Sequence, residues 1–260
     1  MPTAMTWLAS MAAANEALWW SRNKVMWLKS SNKVPSSDMP HYWEPIVGWG
    51  PTARKWRRWA RAKEAILEFR GDPEAQEPLL DGTLAYTSAD AVCAWAQKLL
   101  DRPWRDRAGL CGELAALAFK RLRKRVSEPV DIVTIATYHN FAVVGQTPNL
   151  TRLTVPDDSV WPRRELIAWS YPAKFEEWDK GAWICDPWAN IACRARVYPA
   201  MWNMRMRRWS RAGKQIWEGA PMDPVLWEEL PRMGDKLSMV ASASMGITPP
   251  ELRPGVMVRN

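Results

Sequence analysis

Residues 109–122 read Gly-Leu-Cys-Gly-Glu-Leu-Ala-Ala-Leu-Ala-Phe-Lys-Arg-Leu, and this stretch decides the fold. Its apolar residues recur at helical spacing, and basic residues follow up to Arg125, which suits the negative end of a helix dipole. The pattern predicts a helix from Cys111 to about Arg125 with a buried face. Cys111 would then lie in the first turn, where backbone N–H groups and the helix dipole stabilise a thiolate.

Two further polar residues stand where apolar, strand-like runs begin or end. His139 opens the run Asn-Phe-Ala-Val-Val-Gly, and Asp186 closes Ala-Trp-Ile-Cys just before Pro187, which cannot continue a central strand. A thiol nucleophile needs an imidazole as its base and a carboxylate to orient that imidazole. The order therefore predicts a catalytic triad of Cys111, His139 and Asp186, with Trp188 shielding the His–Asp hydrogen bond from water.

The three motifs resemble the papain-like superfamily, and most closely its bacterial effector and toxin branch of cysteine proteases and glutamine deamidases. The similarity covers roughly residues 85–200 and rests on Cys111-Gly-Glu-Leu-Ala, His139-Asn-Phe-Ala-Val-Val-Gly and Cys185-Asp-Pro-Trp. It implies that Cys111 is the nucleophile, His139 the general base and acid, and Asp186 the orienting residue. It also implies an α+β fold whose papain-like core packs the nucleophile helix on a small antiparallel sheet, with added N-terminal and C-terminal helices.

The oxyanion hole departs from this pattern. Papain-like enzymes often carry Gln or Asn a few residues before the cysteine, but residues 105–109 read Arg-Asp-Arg-Ala-Gly, and Gln97 lies too far upstream. The backbone N–H of Cys111 is one donor that the helix start would supply. We assign Gly112, Trp188 and Trp104 to the neighbourhood of the substrate and the oxyanion. The long interval between His139 and Asp186 predicts an insertion at residues 146–180.

Composition favours a folded protein with an acidic partner. The chain has 260 residues, of which 25% are charged, and its net charge is +8. We expect a helical or targeting segment with a linker at residues 1–50, a hydrolase domain at 51–236 with its core at 85–200, and a flexible tail at 237–260.

Cysteine usage and the N-terminus bear on the compartment. The four cysteines show no Cys-x-x-Cys spacing, which fits a reducing environment, and residues 1–10 lack the pattern of a secretory signal peptide. The sequence contains no run of 18 apolar residues, so we do not expect a membrane-spanning helix. We therefore expect a cytoplasmic location, or secretion into a target cell without a classical signal peptide.

Two other interpretations of these residues stay open. Cys185 and Cys193 could join Cys111 and His139 as zinc ligands, although they lack the paired spacing of zinc sites.

Residues 54–61 and 205–211 interleave arginine with tryptophan, which is typical of surfaces that bind nucleic acid or an anionic membrane. In that second case the arginines to test are Arg57, Arg58, Arg207 and Arg208. The simplest interpretation of the same runs is a solvated helix face whose tryptophans point inward.

Taken together, the residues and the resemblance predict a cysteine-dependent amide hydrolase that acts on a protein substrate through a thioester intermediate. A peptide-bond substrate would make it a protease, a glutamine side chain a deamidase, and an amine acceptor a transglutaminase, because all three share the thioester. This prediction requires no cofactor and no metal. It favours an acidic protein or an anionic membrane surface as partner over nucleic acid. The alternative is a basic Trp/Arg-rich protein that binds nucleic acid or membrane without catalysis.

Overall fold

The computed structural model describes most of the chain between residues 4 and 242. The described residues are 4–25, 28, 30, 33–34, 50–79, 89–135, 139–146, 149–154, 165–218, 220–228 and 237–242. Among them, no helix combines the length and the apolar character that crossing a bilayer requires.

Six α-helices lie in this described part of the chain. They are α1 (Ala4–Lys24), α2 (Pro51–Gly71), α3 (Pro73–Gln76), α4 (Ala89–Asp101), α5 (Cys111–Leu122) and α6 (Tyr198–Arg211). Helix α5 begins at Cys111 as predicted, but it ends at Leu122, and residues 123–125 form a turn. Helix α2 starts with a proline, whose fixed φ suits the first helical position.

The strands of the described residues form two antiparallel sheets. They are β1 (Lys33–Val34), β2 (Val130–Ile135), β3 (His139–Val144), β4 (Asn149–Thr154), β5 (Glu165–Tyr171), β6 (Trp183–Asp186), β7 (Ile191–Arg194), β8 (Gln215–Glu218), β9 (Ala220–Met222) and β10 (Leu237–Ser242). The larger sheet has the order β4-β5-β10-β2-β3-β6-β7, and the smaller has the order β1-β8-β9. The predicted α+β class is therefore confirmed.

Helix α5 lies at the centre of the packing. It contacts β2, β3 and β6 on one side and α1 and α4 on the others. Every residue from Gly112 to Phe119 is buried, which is typical of a helix enclosed on all sides. Small residues of α1, among them Ala14 and Ala17, are fully buried and let that helix approach closely. The fold thus holds the N-terminus of α5 in a fixed position against the sheet.

The predicted insertion at 146–180 contributes β4 and β5, which pair with each other at one edge of the larger sheet. One segment differs from the sequence prediction. Residues 237–242, predicted as part of a tail, form β10 between β5 and β2. The run Leu-Ser-Met-Val-Ala-Ser mixes small and polar residues and carries a weak strand signal, so its pairing depends on the two neighbouring strands. Residues 243–260, and most of the predicted linker at 35–49, lie outside the described residues.

The position of β10 predicts that the chain cannot fold properly without it. We expect a chain that ends at residue 236 to lose a large part of the about 5–15 kcal/mol of stability typical of a domain, because β2 and β5 lose their shared partner. A chain that ends at residue 242 is the matched control. Thermal unfolding followed by circular dichroism tests this. Equal midpoints for the two chains would contradict a structural role for β10.

Candidate active site

Cys111 occupies the first turn of α5, and a buried glutamate in the same turn fixes the start of this helix. Glu113 accepts a hydrogen bond from the backbone N–H of Leu110 at 2.9 Å, which ties down the start of the helix. The same carboxylate accepts two hydrogen bonds from Arg70 of α2, at 2.8 and 3.1 Å. A Cβ atom at Gly109 would stand 3.0 Å from the Cβ of Glu113, so this close approach requires glycine. Cys111 itself is half-buried.

His139 and Asp186 lie on the same face of the larger sheet. His139 opens β3, and residues two apart on a strand share a face, so Phe141 and Val143 lie on the face of His139. Val143 pairs with Ile184 of β6, and Asp186 follows Ile184 by two residues. The strands therefore present the imidazole and the carboxylate side by side. Nε2 of His139 lies 2.9 Å from Oδ2 of Asp186, and both side chains are buried.

The carboxylate of Asp186 has further donors beyond His139. The hydroxyl of Tyr198 donates to Oδ2 at 2.8 Å, and the backbone N–H of Ala189 donates to Oδ1 at 2.9 Å. Burial alone raises the pKa of Asp186, but the charge and hydrogen bond of His139, with those two donors, bring the net pKa below its usual value. Asp186 is therefore a buried, fully hydrogen-bonded carboxylate.

Aromatic rings enclose the imidazole. The ring of His139 lies 5.0 Å from the ring of Trp188 and 4.8 Å from that of Trp202, between centroids. Trp188 belongs to the turn at residues 187–190 and Trp202 belongs to α6, and both are buried. His139 is 1% exposed. Trp188 thus lies where the sequence prediction placed it, against the His–Asp hydrogen bond, and Trp202 is a second shield that the sequence did not indicate.

The thiol of Cys111 interacts with the other end of this pair. Burial raises the pKa of Cys111, but the hydrogen bond and positive charge of His139, with the backbone N–H of Asn140, lower it below its usual value overall. Burial likewise lowers the pKa of His139, yet the charge of Asp186 and its hydrogen bond outweigh this, and Cys111 adds to them, so the pKa rises to about 9. These opposite shifts favour a thiolate–imidazolium pair. Since Asp186 occupies Nε2, Nδ1 is the ring nitrogen left for the thiol.

The structure brings the three predicted triad residues together and adds neighbours that sequence reasoning missed. The side-chain amide of Asn140 donates to Sγ of Cys111 at 3.8 Å. Asn140 directly follows His139, so its position beside the histidine was the available signal. Tyr198 could not be found in this way, because only the fold brings α6 next to Asp186.

The two remaining predicted neighbours of the substrate lie in different settings. Gly112 follows Cys111 and is buried in the first turn of α5. Trp104 lies in a short 3-10 helix (Trp104–Asp106) and is 52% exposed, with the guanidinium of Arg105 5.3 Å from its ring. Trp104 is therefore a surface residue.

Cys185 and Cys193 cannot act together as zinc ligands or as a disulfide. Cys185 pairs with Ala192, and Cys193 pairs with Ile184, so the two thiols point to opposite faces of the sheet. None of the four cysteines forms a disulfide. No group of three or more His, Cys, Asp or Glu side chains suited to a metal occurs among the described residues.

The tryptophans of the two basic runs point inward. Trp56, Trp59 and Trp209 are at most 8% exposed. Base stacking by these rings would require them to leave the core. Of their arginines, Arg57 and Arg208 are exposed, whereas Arg58 and Arg205 are partly buried. Arg207 donates to the carboxylate of Glu228 at 2.6 Å.

Comparison of this chain with protein-family models, with curated proteins and with solved structures found no match. The functional interpretation therefore rests on the contacts of Cys111, His139 and Asp186 themselves.

The pKa shifts predict the pH dependence of alkylation at Cys111. The thiolate is the reactive form, so a lowered pKa means that iodoacetamide labels Cys111 at a pH where Cys185 and Cys193 stay unreactive. Burial raises the pKa of Cys193 to about 12 and that of Cys185 well above its usual value. In His139→Ala the profile of Cys111 should move to higher pH, because burial remains and the main lowering cause is gone. Site-resolved mass spectrometry measures this, and an unchanged profile would rule out the ion pair.

The Glu113–Arg70 ion pair predicts that substitutions at two glutamates lower the stability of the fold by different amounts. We expect Glu113→Gln to lower the free energy of unfolding by about 1–3 kcal/mol, because the buried carboxylate loses its charge-assisted bonds to Arg70. Glu64→Gln, which removes an exposed partner of Arg61, should cost about 0–1 kcal/mol. Urea unfolding of both variants provides the test. Equal losses would show that the Glu113–Arg70 pair is not a structural support of the helix start.

Proposed function

We propose that the chain is a cysteine-dependent amide hydrolase, with Cys111 as nucleophile, His139 as general base and acid, and Asp186 as the residue that orients the imidazole. The observation that carries the proposal is the position of His139, which hydrogen-bonds the carboxylate of Asp186 through Nε2 and interacts with the thiol of Cys111 on its other side. A structural histidine needs neither a thiol partner nor an ion-pair partner. The conjunction of both, at a half-buried cysteine, is what nucleophilic catalysis requires.

The proposed reaction proceeds in two steps. The Cys111 thiolate attacks the amide carbonyl, a C–S bond forms, and the C–N bond breaks as the imidazolium of His139 protonates the leaving amine. A water molecule, deprotonated by the now neutral His139, then attacks the thioester and releases the acid and the thiol. The raised pKa of His139, about 9, suits the first step because it keeps the general acid protonated at neutral pH.

The oxyanion that forms during attack needs donors beside the sulfur. The backbone N–H of Cys111 at the start of α5 is one candidate. The side-chain amide of Asn140 is a second, since its nitrogen is 3.8 Å from Sγ of Cys111. Asn140 would thus supply the amide that residues 105–109 lack. Substrate binding would turn this amide from the sulfur to the carbonyl oxygen.

We further infer that the core is papain-like, with α5 as the nucleophile helix on the antiparallel strands β2, β3 and β6. Support comes from the order of the elements, helix with thiol, strand with imidazole, strand with carboxylate, and from the packing of α5 on these strands. The resemblance of the three motifs to bacterial effectors and toxins favours a protein substrate in another cell. The net charge of +8 favours an acidic substrate or one at an anionic membrane.

A single experiment tests the proposal and separates its variants. A cell extract enriched in acidic proteins is incubated with the wild-type protein or with Cys111→Ala. A labelled primary amine is present in both reactions. Mass spectrometry then counts new N-termini, glutamine-to-glutamate conversions and amine-labelled glutamines, which report protease, deamidase and transglutaminase activity respectively. We expect one class to depend on Cys111, with a loss of at least about a thousandfold in Cys111→Ala.

The controls distinguish a catalytic role from a structural one. Asp186→Asn should lower the same activity by about 10³–10⁴-fold, since it leaves the imidazole in the wrong tautomer. Cys93→Ala, which changes a cysteine outside the triad, should leave activity unchanged. Thermal unfolding of Cys111→Ala should match that of the wild type. Absence of all three product classes, together with no labelling by an electrophilic acyl probe, would exclude the amide hydrolase.

A further inference from the structure

A cavity lies against the turn that carries Asp186. Its volume is about 600 Å³, within the range of small-molecule sites. Pro187 and Asn190 of that turn line it, together with Leu114 of α5 and Trp209 of α6. Cys111, His139 and Asp186 are not among its lining residues, so this cavity is distinct from the triad although they share the turn.

The lining of this cavity is strongly basic. The side chains that carry positive charge come from α1, β1, α2, α6 and the residues after α6, and they are Arg22, Lys33, Lys55, Arg58, Arg205 and Lys214. Among the described lining residues there is no aspartate and no glutamate. The fold thus collects cations from distant parts of the sequence around one space.

Three of these cations are oriented by neutral groups. Arg22 donates to the carbonyl of Pro187 at 2.7 Å, Arg205 donates to the carbonyl of Asn190 at 2.9 Å, and Lys33 donates to the carbonyl of Trp188. The ammonium of Lys33 also lies over the rings of Trp188 and Trp209, at 4.5 and 4.6 Å. Backbone carbonyls and rings contact these three cations directly. The carboxylate of Asp186 raises their pKa values, but it accepts its hydrogen bonds from His139, Tyr198 and the backbone N–H of Ala189.

The positive charges around the cavity therefore repel one another. Burial lowers the pKa of Lys33 well below its usual value, and the charges of Arg22, Lys214 and Arg205 lower it further, whereas Asp186 acts in the opposite direction. Burial and the charge of Arg205 likewise lower the pKa of Arg22. An anion in the cavity would relieve this repulsion.

We propose that the cavity binds a compact polyanion that carries several phosphate groups. A monocarboxylate offers one negative charge to Arg22, Lys33 and Arg205 together, whereas a chain of phosphates offers several within a space of this size. Arginine guanidinium groups match phosphate oxygens in bidentate geometry, and lysines add point charges. A soluble polyphosphate and a phosphorylated lipid headgroup share this chemistry. The site goes beyond the proposed hydrolase activity and does not depend on it.

Calorimetric titration of the full chain with inorganic tripolyphosphate, at near-physiological salt, tests the site. We expect saturable binding of one ligand, weakened by roughly tenfold or more in Arg58→Gln and in Arg205→Gln, because each loses a charge-assisted contact. Arg57→Gln and Arg208→Gln are matched controls on the same helices. They remove the same charge from exposed positions outside the cavity, and should change the Kd by less than about threefold.

Lys55→Gln supplies a third lining variant if the partly buried arginines prove necessary for folding, since Lys55 is exposed on α2. It should weaken binding in the same direction. No saturable binding, or equal losses in the lining and control variants, would overturn the proposal in favour of diffuse surface charge. Neither result would bear on the hydrolase, because the readout is binding alone.

Vesicles distinguish the two sources of phosphate. Phosphatidylcholine vesicles with and without phosphatidylinositol bisphosphate are sedimented with the protein. Binding that requires the phosphoinositide, and that tripolyphosphate displaces, would assign the cavity to a lipid headgroup. Tripolyphosphate binding without any vesicle binding would assign it to a soluble ligand. Vesicle binding that persists in Arg58→Gln and Arg205→Gln would contradict a role of the cavity.

Discussion

The buried hydrogen bond between His139 and Asp186 is the constraint on which the rest of the site depends. A carboxylate without exposure to water is costly unless its oxygens are hydrogen-bonded and a positive charge lies nearby. The structure meets both needs at once. The turn after β6 supplies the N–H of Ala189, α6 supplies the hydroxyl of Tyr198, and the imidazole supplies the charge. The chain from 186 to 198 is thus organised around one carboxylate.

The same elements that build the core also build the candidate site. Helix α5 is enclosed by the sheet, α1 and α4, and Cys111 at its start is half-buried, as are Lys120 and Arg121 near its end. Cys111 is half-buried, whereas its partner His139 is buried between Trp188 and Trp202. In the proposed hydrolase, Cys111 would be the nucleophile and His139 a base whose charge state is set away from solvent.

Charge is balanced in one part of the molecule and unbalanced in the adjoining part. Around the triad, Glu113 is paired with Arg70 and Asp186 with His139, so each buried carboxylate has a cationic partner. Beyond the turn at residues 187–190, basic side chains face one another across a cavity, held by carbonyl oxygens. Six of the 36 lysines and arginines of the chain therefore line one cavity.

The sequence by itself determined the helix that begins at Cys111, the strands that begin at His139 and end at Asp186, and hence the α+β class, because local periodicity and boundary residues carry that information. Only the tertiary structure decided that β10 enters the sheet, that Tyr198 reaches Asp186, and that Arg22 and Arg205 face the same cavity. These contacts join residues far apart in the chain. Their formation depends on strand pairing and helix packing over the whole fold, and no local pattern encodes it.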